Sequence, residues 1–394
     1  MPRLDLEAHR RHLLEHGAEL VGAALTGAPD AAIPGLAVRV DAVHYRPGRD
    51  VTVGYVAELG DGDTRQEEYV LATTADVSGG VVTLDSEEFS FRVWQHPHDP
   101  VLRSAPVAFD PGAVAGWLGT AGLASGEVAL TAVAYRPMRR AVLRAEADGG
   151  RWFVKVQRPK RHLEYLERMA LLAPAGITPP VVAMPADGVS ITAAAPGVSL
   201  AVALAGWSMR GDVEPDARSL LGLLRRLPGG VRGLPPRRDH RARLRLAVEA
   251  ASVELPGRAD DIAALGERLV EADAHAVTGE VGATHGDFYE ANIFTVDGRA
   301  VQVIDIESVG PGYLVDDLAT LLAHLVVLPD LSRAHYAQLP GLIDRWHDVF
   351  AGVVDGPTLR ARTAGLILGL LSGAGEEQAS LRLDRALEWA DPRG

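Results

Sequence analysis

The sequence predicts an α+β protein in which two small, strand-rich segments precede a mainly helical C-terminal half. Three observations carry that expectation. Residues 38–95 alternate apolar and polar side chains in short runs separated by turn residues, the period of two expected of strands in a small antiparallel sheet. A similar strand, turn and strand return ninety residues later. Beyond residue 197 the apolar spacing is helical almost throughout, interrupted by one strand-rich island at 284–306.

Taken in order, residues 4–25 carry apolar side chains at helical spacing and stop at Gly27, Pro29 and Pro34, which predicts one amphipathic helix. Strands are expected at 38–45, 51–58, 68–73, 81–84 and 89–95, with turns at Gly60-Asp61-Gly62 and Ser78-Gly79-Gly80. The run Ala42-Val43-His44-Tyr45-Arg46-Pro47-Gly48-Arg49 is answered by Ala132-Val133-Ala134-Tyr135-Arg136-Pro137-Met138-Arg139. Either a module was duplicated and its first copy disarmed, or both use a common hairpin pattern. Only the second copy continues into Phe153-Val154-Lys155-Val156. A helix is expected through 161–172, strands at 181–184 and 189–193, and a hinge at Ala195-Pro196-Gly197. These elements group into an N-terminal α+β cap at 1–108, a small β lobe at 109–196 and a mainly helical lobe at 197–394.

Hydrophobic residues at 47% and charged residues at 23% fit a globular chain with no disordered tail. A net charge of −13 argues against nucleic acid or an anionic membrane as partner. The arginine-dense stretch at 225–245 is read as a solvated helix face and loop. Without cysteine there is no disulfide, thiolate metal site or cysteine nucleophile. No signal peptide or membrane span is legible, so a cytoplasmic location is expected. The chain holds only two lysines, Lys155 and Lys160, and one asparagine, Asn292. Residues so sparingly used stand where their chemistry is hard to replace.

The island contains His285-Gly286-Asp287, four residues, Asn292, and an apolar strand ending in Ile304-Asp305. That order and spacing suit phosphoryl transfer. A loop carboxylate, Asp287, can accept a hydroxyl proton and align the attacking oxygen. Asn292 supplies a neutral oxygen and Asp305 a charged one to a magnesium ion. Taken singly, each residue has a plainer account as core histidine, turn, cap or strand end. A lysine between apolar strand neighbours needs anions if it is buried; nucleotide phosphates and a carboxylate of the following helix, Glu164 in preference to Glu167, would satisfy Lys155.

With these motifs the chain resembles the aminoglycoside phosphotransferase and choline kinase family from about 132 to 389, through His285 to Asn292, Ile304-Asp305-Ile306-Glu307, and Gly310-Pro311-Gly312 with Asp317-Leu318-Ala319. The resemblance implies a bilobal protein kinase-like fold and an enzyme moving the γ-phosphate of ATP, with Mg2+, to a hydroxyl of a small polar molecule: an amino sugar, sugar or aminoglycoside. It makes Asp287 the base, gives magnesium to Asn292 and Asp305, phosphates to Lys155 and adenine to the backbone from Ala193 to Ala195. Asp317 would brace the catalytic loop, although a helix N-cap accounts for it equally well. His285 and Glu307 are supporting residues. Glu290 and Glu307, with Glu376 and Glu377, would suit an amine-bearing acceptor.

The chain departs from the pattern in its nucleotide loop, Arg136-Pro137-Met138-Arg139-Arg140, which is not glycine-rich and leaves arginine side chains as candidates for the phosphate grip. The region before 125 looks like the extra cap of bacterial maltokinases and glucosamine kinases, but those carry Gln where this chain has Asn292. Two rival readings remain. One is a nonenzymatic pseudokinase whose N-terminal module binds protein. The other is a zinc metallopeptidase built on His12-Leu13-Leu14-Glu15-His16. Oligomeric state is not legible.

Overall fold

The computed structural model describes residues 6–28, 33, 35–46, 48–60, 66–86, 88–236 and 240–391. Pro29, Pro34, Pro47, Asp61, Gly62, Arg237 and Arg238, on which parts of the sequence reading rested, lie outside the described residues, as does Leu4. The chain divides into two compact units, Met1–Leu163 with Val181–Ala194, and Glu164–Pro180 with Ala195–Gly394.

In the first unit, helices α1 (Leu6–Glu15) and α2 (Gly17–Thr26) cover strands β1 (Ala37–Arg46), β2 (Asp50–Leu59), β3 (Gln66–Thr73), β4 (Val82–Asp85) and β5 (Ser90–Gln95). The single helix expected over 4–25 is therefore corrected to two, broken at His16. The break has a packing reason. A Cβ on Gly17 would lie 2.9 Å from the Tyr55 ring, and the Tyr55 hydroxyl donates to Leu13 O at 2.6 Å, satisfying a carbonyl the interruption frees. Leu13 and Val21 of the helices form the core there with Val53, Tyr55, Val70 and Phe91 of the strands, and Val51, Val53, Tyr55 and Ala57 follow the period of two along β2.

Next come α3 (Ala105–Ala108) and α4 (Pro111–Thr120), the latter capped by Asp110, whose side chain accepts from Ala113 N at 2.6 Å. They precede β6 (Ala129–Arg136), β7 (Arg140–Ala147), β8 (Gly150–Gln157), α5 (Pro159–Leu172), β9 (Val181–Ala186) and β10 (Val189–Ala193). The two sheets share one strand order: β1-β2-β3-β5-β4 and β6-β7-β8-β10-β9, antiparallel throughout. The likeness seen in a hairpin thus extends to a five-stranded topology. Even the turns match. Gly48 and Met138 both have positive φ, 70° and 59°, and Arg49 N and Arg139 N donate to Arg46 O and Arg136 O at 2.9 and 3.0 Å. Register locates the counterpart of Lys155: Thr52 pairs with Thr73 as Val142, ninety residues on, pairs with Lys155. Thr73 is buried and bonded to the Thr52 hydroxyl and Val51 O, so the first copy has a closed neutral network where the second has an amine.

The second unit comprises β11 (Val198–Ser199), α6 (Leu200–Arg210), α7 (Ala217–Arg225), α8 (His240–Glu254), α9 (Ala259–Ala274), β12 (Gly282–Thr284), β13 (Ile293–Val296), β14 (Arg299–Val303), β15 (Gly310–Gly312), α10 (Leu314–Val327), α11 (Leu339–Ala351), α12 (Gly356–Gly369) and α13 (Glu376–Trp389). The strands form two small sheets, β11-β13-β14 and β12-β15. Sequence periodicity missed β11, which is two residues long. Its entry requires Gly197, with φ 74°, where a Cβ would stand 2.0 Å from Thr295 O. Helix α10 buries all its apolar residues but Leu314, together with its two acids, Asp316 and Asp317.

The arginine-dense stretch is corrected in part. Arg241 pairs with Asp273 at 2.6 Å, Arg243 approaches Asp316 at 3.9 Å, and buried Arg362 bridges Asp273 and Asp316 at 2.8 and 3.1 Å. An ion network, not merely solvent, receives two of those arginines. Among the described residues no helix is long and apolar enough to cross a membrane.

Candidate active site

The loop from His285 to Asn292 joins β12 to β13 in the second unit. Gly286 has φ 82°, a conformation open to glycine at little cost. Asp317, on the first turn of α10 and 1% exposed, accepts from His285 N and Gly286 N, each at 2.7 Å. Its side chain braces the loop; the N-cap of α10 is Tyr313.

Fully buried His285 adds a second brace. Its Nε2 lies 3.0 Å from Ile304 O, and Asp287 N lies 3.3 Å from its Nδ1. A carbonyl can only accept and an amide N–H only donate, so the ring is neutral with its proton on Nε2. Asn292 donates from Nδ2 to Asp287 O at 3.0 Å, and its carbonyl O accepts from Ile304 N at 2.9 Å. That donation engages the amide nitrogen and leaves Oδ1 as the end suited to a cation. Residues 285, 287, 292 and 304 are thus joined by hydrogen bonds of 2.9–3.3 Å, and Asp305 follows directly. Asp305 adopts φ 57° and ψ 54°, a left-handed conformation that a short polar side chain tolerates better than most.

Tyr165 on α5 lies near Asp305 and Glu307; burial raises its phenol's pKa most, and the two carboxylates add to the rise. Glu290 is buried, and its Oε2 has no hydrogen-bond partner among the described residues. Burial pushes its pKa up to about 7. His324 of α10 stacks on Tyr289 with ring centroids 4.3 Å apart and approaches Glu290 Oε2 at 3.9 Å. This is not an ion pair at neutral pH, because burial, with Arg382, lowers the His324 pKa to about 4. Sequence reading missed His324 and Tyr289, for which no spacing signal exists. Glu376 and Glu377 sit exposed in the first turn of α13, where the helix dipole accounts for them.

Of the remaining expected residues, Lys155 and Ala193 belong to the first unit, Glu164 and Ala195 to the second. Lys155 is half-buried on β8 between Val154 and Val156, which point into the core, so its side chain leaves the opposite face. Ala193 ends β10 opposite Trp152.

The zinc reading fares differently. His12 is stacked against His16 at 4.1 Å and against Phe89 at 4.2 Å. Among the described residues no group of three or more His, Cys, Asp or Glu side chains could hold a metal ion. A magnesium ion that takes its other oxygens from phosphate and water needs no such cage.

The model of a family described as "Phosphotransferase enzyme family" matches residues 139–349, more than half of the chain. Among solved structures, a thermostable mutant of aminoglycoside phosphotransferase APH(4)-Ia is similar with a TM-score of 0.50 and 16% identity, over 71% of this chain and 98% of that one. A choline/ethanolamine kinase family protein from Mesorhizobium loti has a TM-score of 0.47 and 18% identity, over 73% and 94%. No curated protein matches the sequence. The fold is therefore the protein kinase-like one, preceded by the additional sheet β1 to β5.

Proposed function

The chain belongs to the phosphotransferase enzyme family and is a small-molecule kinase, and from that premise we propose that it moves the γ-phosphate of ATP to a hydroxyl of an amino sugar, sugar or aminoglycoside. The observation that carries this reading is the lattice joining His285, Asp287, Asn292 and Ile304, with Asp317 holding its first two amides. In this reading Asp287 accepts the proton of the attacking hydroxyl and aligns its oxygen, because phosphoryl transfer is governed by positioning and charge stabilisation. Lys155 holds phosphates, with Glu164 as its carboxylate partner, and the backbone from Ala193 to Ala195 receives the adenine.

Asn292 Oδ1 and the Asp305 carboxylate are hard oxygen donors that suit Mg2+. When bound, the ion would neutralise charge on the phosphates. Glu307 supports that end of the site. The buried Glu290 carboxylate, whose Oε2 has no hydrogen-bond partner among the described residues, favours an acceptor bearing an amine or hydroxyl donor. Residues 1–108 act as a cap on the β lobe at 109–196, with catalysis in 197–394.

The test is ADP release by purified protein against aminoglycosides, amino sugars, neutral sugars, choline and homoserine, with Asp287→Ala as control. Transfer to one of these classes, reduced at least a thousandfold in Asp287→Ala with an unchanged melting temperature, is the expected result. Turnover retained by Asp287→Ala removes the mechanism. Absence of any magnesium-dependent ATP effect on melting, in wild type and Asp305→Ala alike, points instead to a nonenzymatic role.

A further inference from the structure

Asp317 holds the loop from His285 to Asn292, and what holds Asp317 begins one residue back. Asp316 shares the first turn of α10 and is also buried, 8% exposed. Adjacent residues of a helix stand about 100° and about 1.5 Å apart, so a fixed Asp316 fixes where the Asp317 carboxylate can reach. Arginine fixes it. Arg362 Nη1 donates to Asp316 Oδ1 at 3.1 Å, and Arg243 Nη2 approaches Oδ2 at 3.9 Å. Two neighbouring carboxylates withdrawn from water repel each other. Arg362, 6% exposed, is the closer of the two cations that offset the repulsion.

The same guanidinium also reaches the chain on the other side of the loop. Its Nη2 lies 2.8 Å from Asp273 Oδ1, an ion pair off the line of a hydrogen bond, while Asp273 Oδ2 accepts from Arg241 Nε at 2.6 Å. Asp273 stands in the last turn of α9, where the helix dipole disfavours a carboxylate, and the two arginines offset that cost. From α9 the chain runs through Val277 to β12 and into the loop. Val277 N donates to Thr358 Oγ1 at 2.9 Å. Thr358 and Arg362 are four residues apart on α12 and both buried, so they share one face of the helix. That face grips both the segment that enters the loop and the helix that braces it.

We propose that Arg362 is a positioning residue for phosphoryl transfer, setting the rotation of the first turn of α10 and thereby holding the Asp317 carboxylate against the His285 and Gly286 amides. It acts through Asp316 and Asp317. The proposal rests on the reading of Asp287 as the base, whose alignment a displaced loop would lose; a misplacement of about 1 Å costs about a hundredfold in rate. Arginine suits the position because its planar fork meets two carboxylates at once, whereas a lysine ammonium is a point charge.

The full chain, Arg362→Met, Arg362→Lys and Asp316→Asn are compared with Leu383→Ala, a core cavity in α13 that lowers stability without touching the network. Two quantities are measured: amide hydrogen exchange of His285 and Gly286 by NMR, and magnesium-dependent hydrolysis of ATP with water as the acceptor. In Arg362→Met, exchange of the two amides is expected to rise at least thirtyfold, and kcat to fall at least thirtyfold with KM for ATP within twofold. Arg362→Lys should recover part of both. Asp316→Asn, which keeps the side-chain shape and the Asp273 pair, should change each about tenfold. Leu383→Ala should melt lower yet leave both quantities within threefold of wild type. Exchange and kcat within threefold of wild type in Arg362→Met and Asp316→Asn overturn the proposal. An equal rise in Leu383→Ala also overturns it, reducing Arg362 to a stability role. Raised exchange with unchanged kcat defeats the catalytic part and leaves the kinase reading intact. If Arg362→Met does not fold, Asp316→Asn decides alone. If wild type neither hydrolyses ATP nor melts higher with ATP and magnesium, the kinase reading fails, while exchange still decides whether Arg362 holds the loop.

Discussion

Replacing Asp317 by alanine is the most informative test of how the loop from His285 to Asn292 is held. The carboxylate is 1% exposed and accepts two backbone amides at 2.7 Å, that of His285 buried and that of Gly286 half-buried, so solvent screens the pair weakly. Hydrogen bonds to a charged group contribute about 1.5–3 kcal/mol each, and alanine also takes that acceptor from the buried His285 N and the half-buried Gly286 N. The loop should lose roughly 3–6 kcal/mol of local stability, which at about 1.4 kcal/mol per decade is a hundredfold or more in its open population. Amide hydrogen exchange over residues 282–292 reads this directly, whatever the acceptor. Protection is expected to fall at least a hundredfold there, while that of α12 and α13 changes little. Asp317→Asn keeps one acceptor and should fall between. Unchanged protection of Gly286 in Asp317→Ala would refute the bracing role, and a kcat within twofold of wild type would show that bracing is irrelevant to turnover.

Other expectations concern the framework around that loop. Burial holds the His324 pKa at about 4 in the fold against the ordinary 6.5, so the unfolded chain binds more protons between these values and its contribution to stability is lost as pH falls through that window. The shift amounts to about 3 kcal/mol at most. His324→Phe, which keeps the stacking on Tyr289, should flatten the dependence of melting temperature on pH between 4 and 6.5 relative to wild type; parallel curves would contradict the assignment. Arg362→Ala leaves Asp273 and Asp316 without their bridge and is expected to lower unfolding free energy by about 3–5 kcal/mol in urea titration. Gly197→Ala drives a Cβ to 2.0 Å from a backbone oxygen at positive φ and should lower the melting temperature markedly, whereas Gly211→Ala, with open space around it, should lower it far less.

Much of the architecture was legible because each local signal agreed with its neighbours. Alternation placed all five strands of the first sheet within a residue or two, since side chains leave a pleated strand on opposite faces with a period of two. The single helix expected at 4–25 failed for a nonlocal reason: Tyr55, from β2, occupies the space beside Gly17 and bonds Leu13 O. Helical periodicity carries no record of a side chain arriving from thirty or more residues away. For the same reason the ion network of Arg241, Arg362, Asp273 and Asp316 was invisible in a stretch that looked like a solvated face.

The linear order of His285, Asp287, Asn292 and Asp305 was enough by itself to suggest phosphoryl transfer, because those chemistries sit on one short loop and the strand that follows it. Their spacing could not say what holds them. Asp317 as brace rather than cap, the neutral Nε2 tautomer of His285, the shared five-strand order of the two sheets and the capture of the Met138 amide by Asp99 were decided by tertiary packing. A backbone donor's partner is chosen by folding in three dimensions, and residues distant in the chain determine which donors remain to meet a ligand.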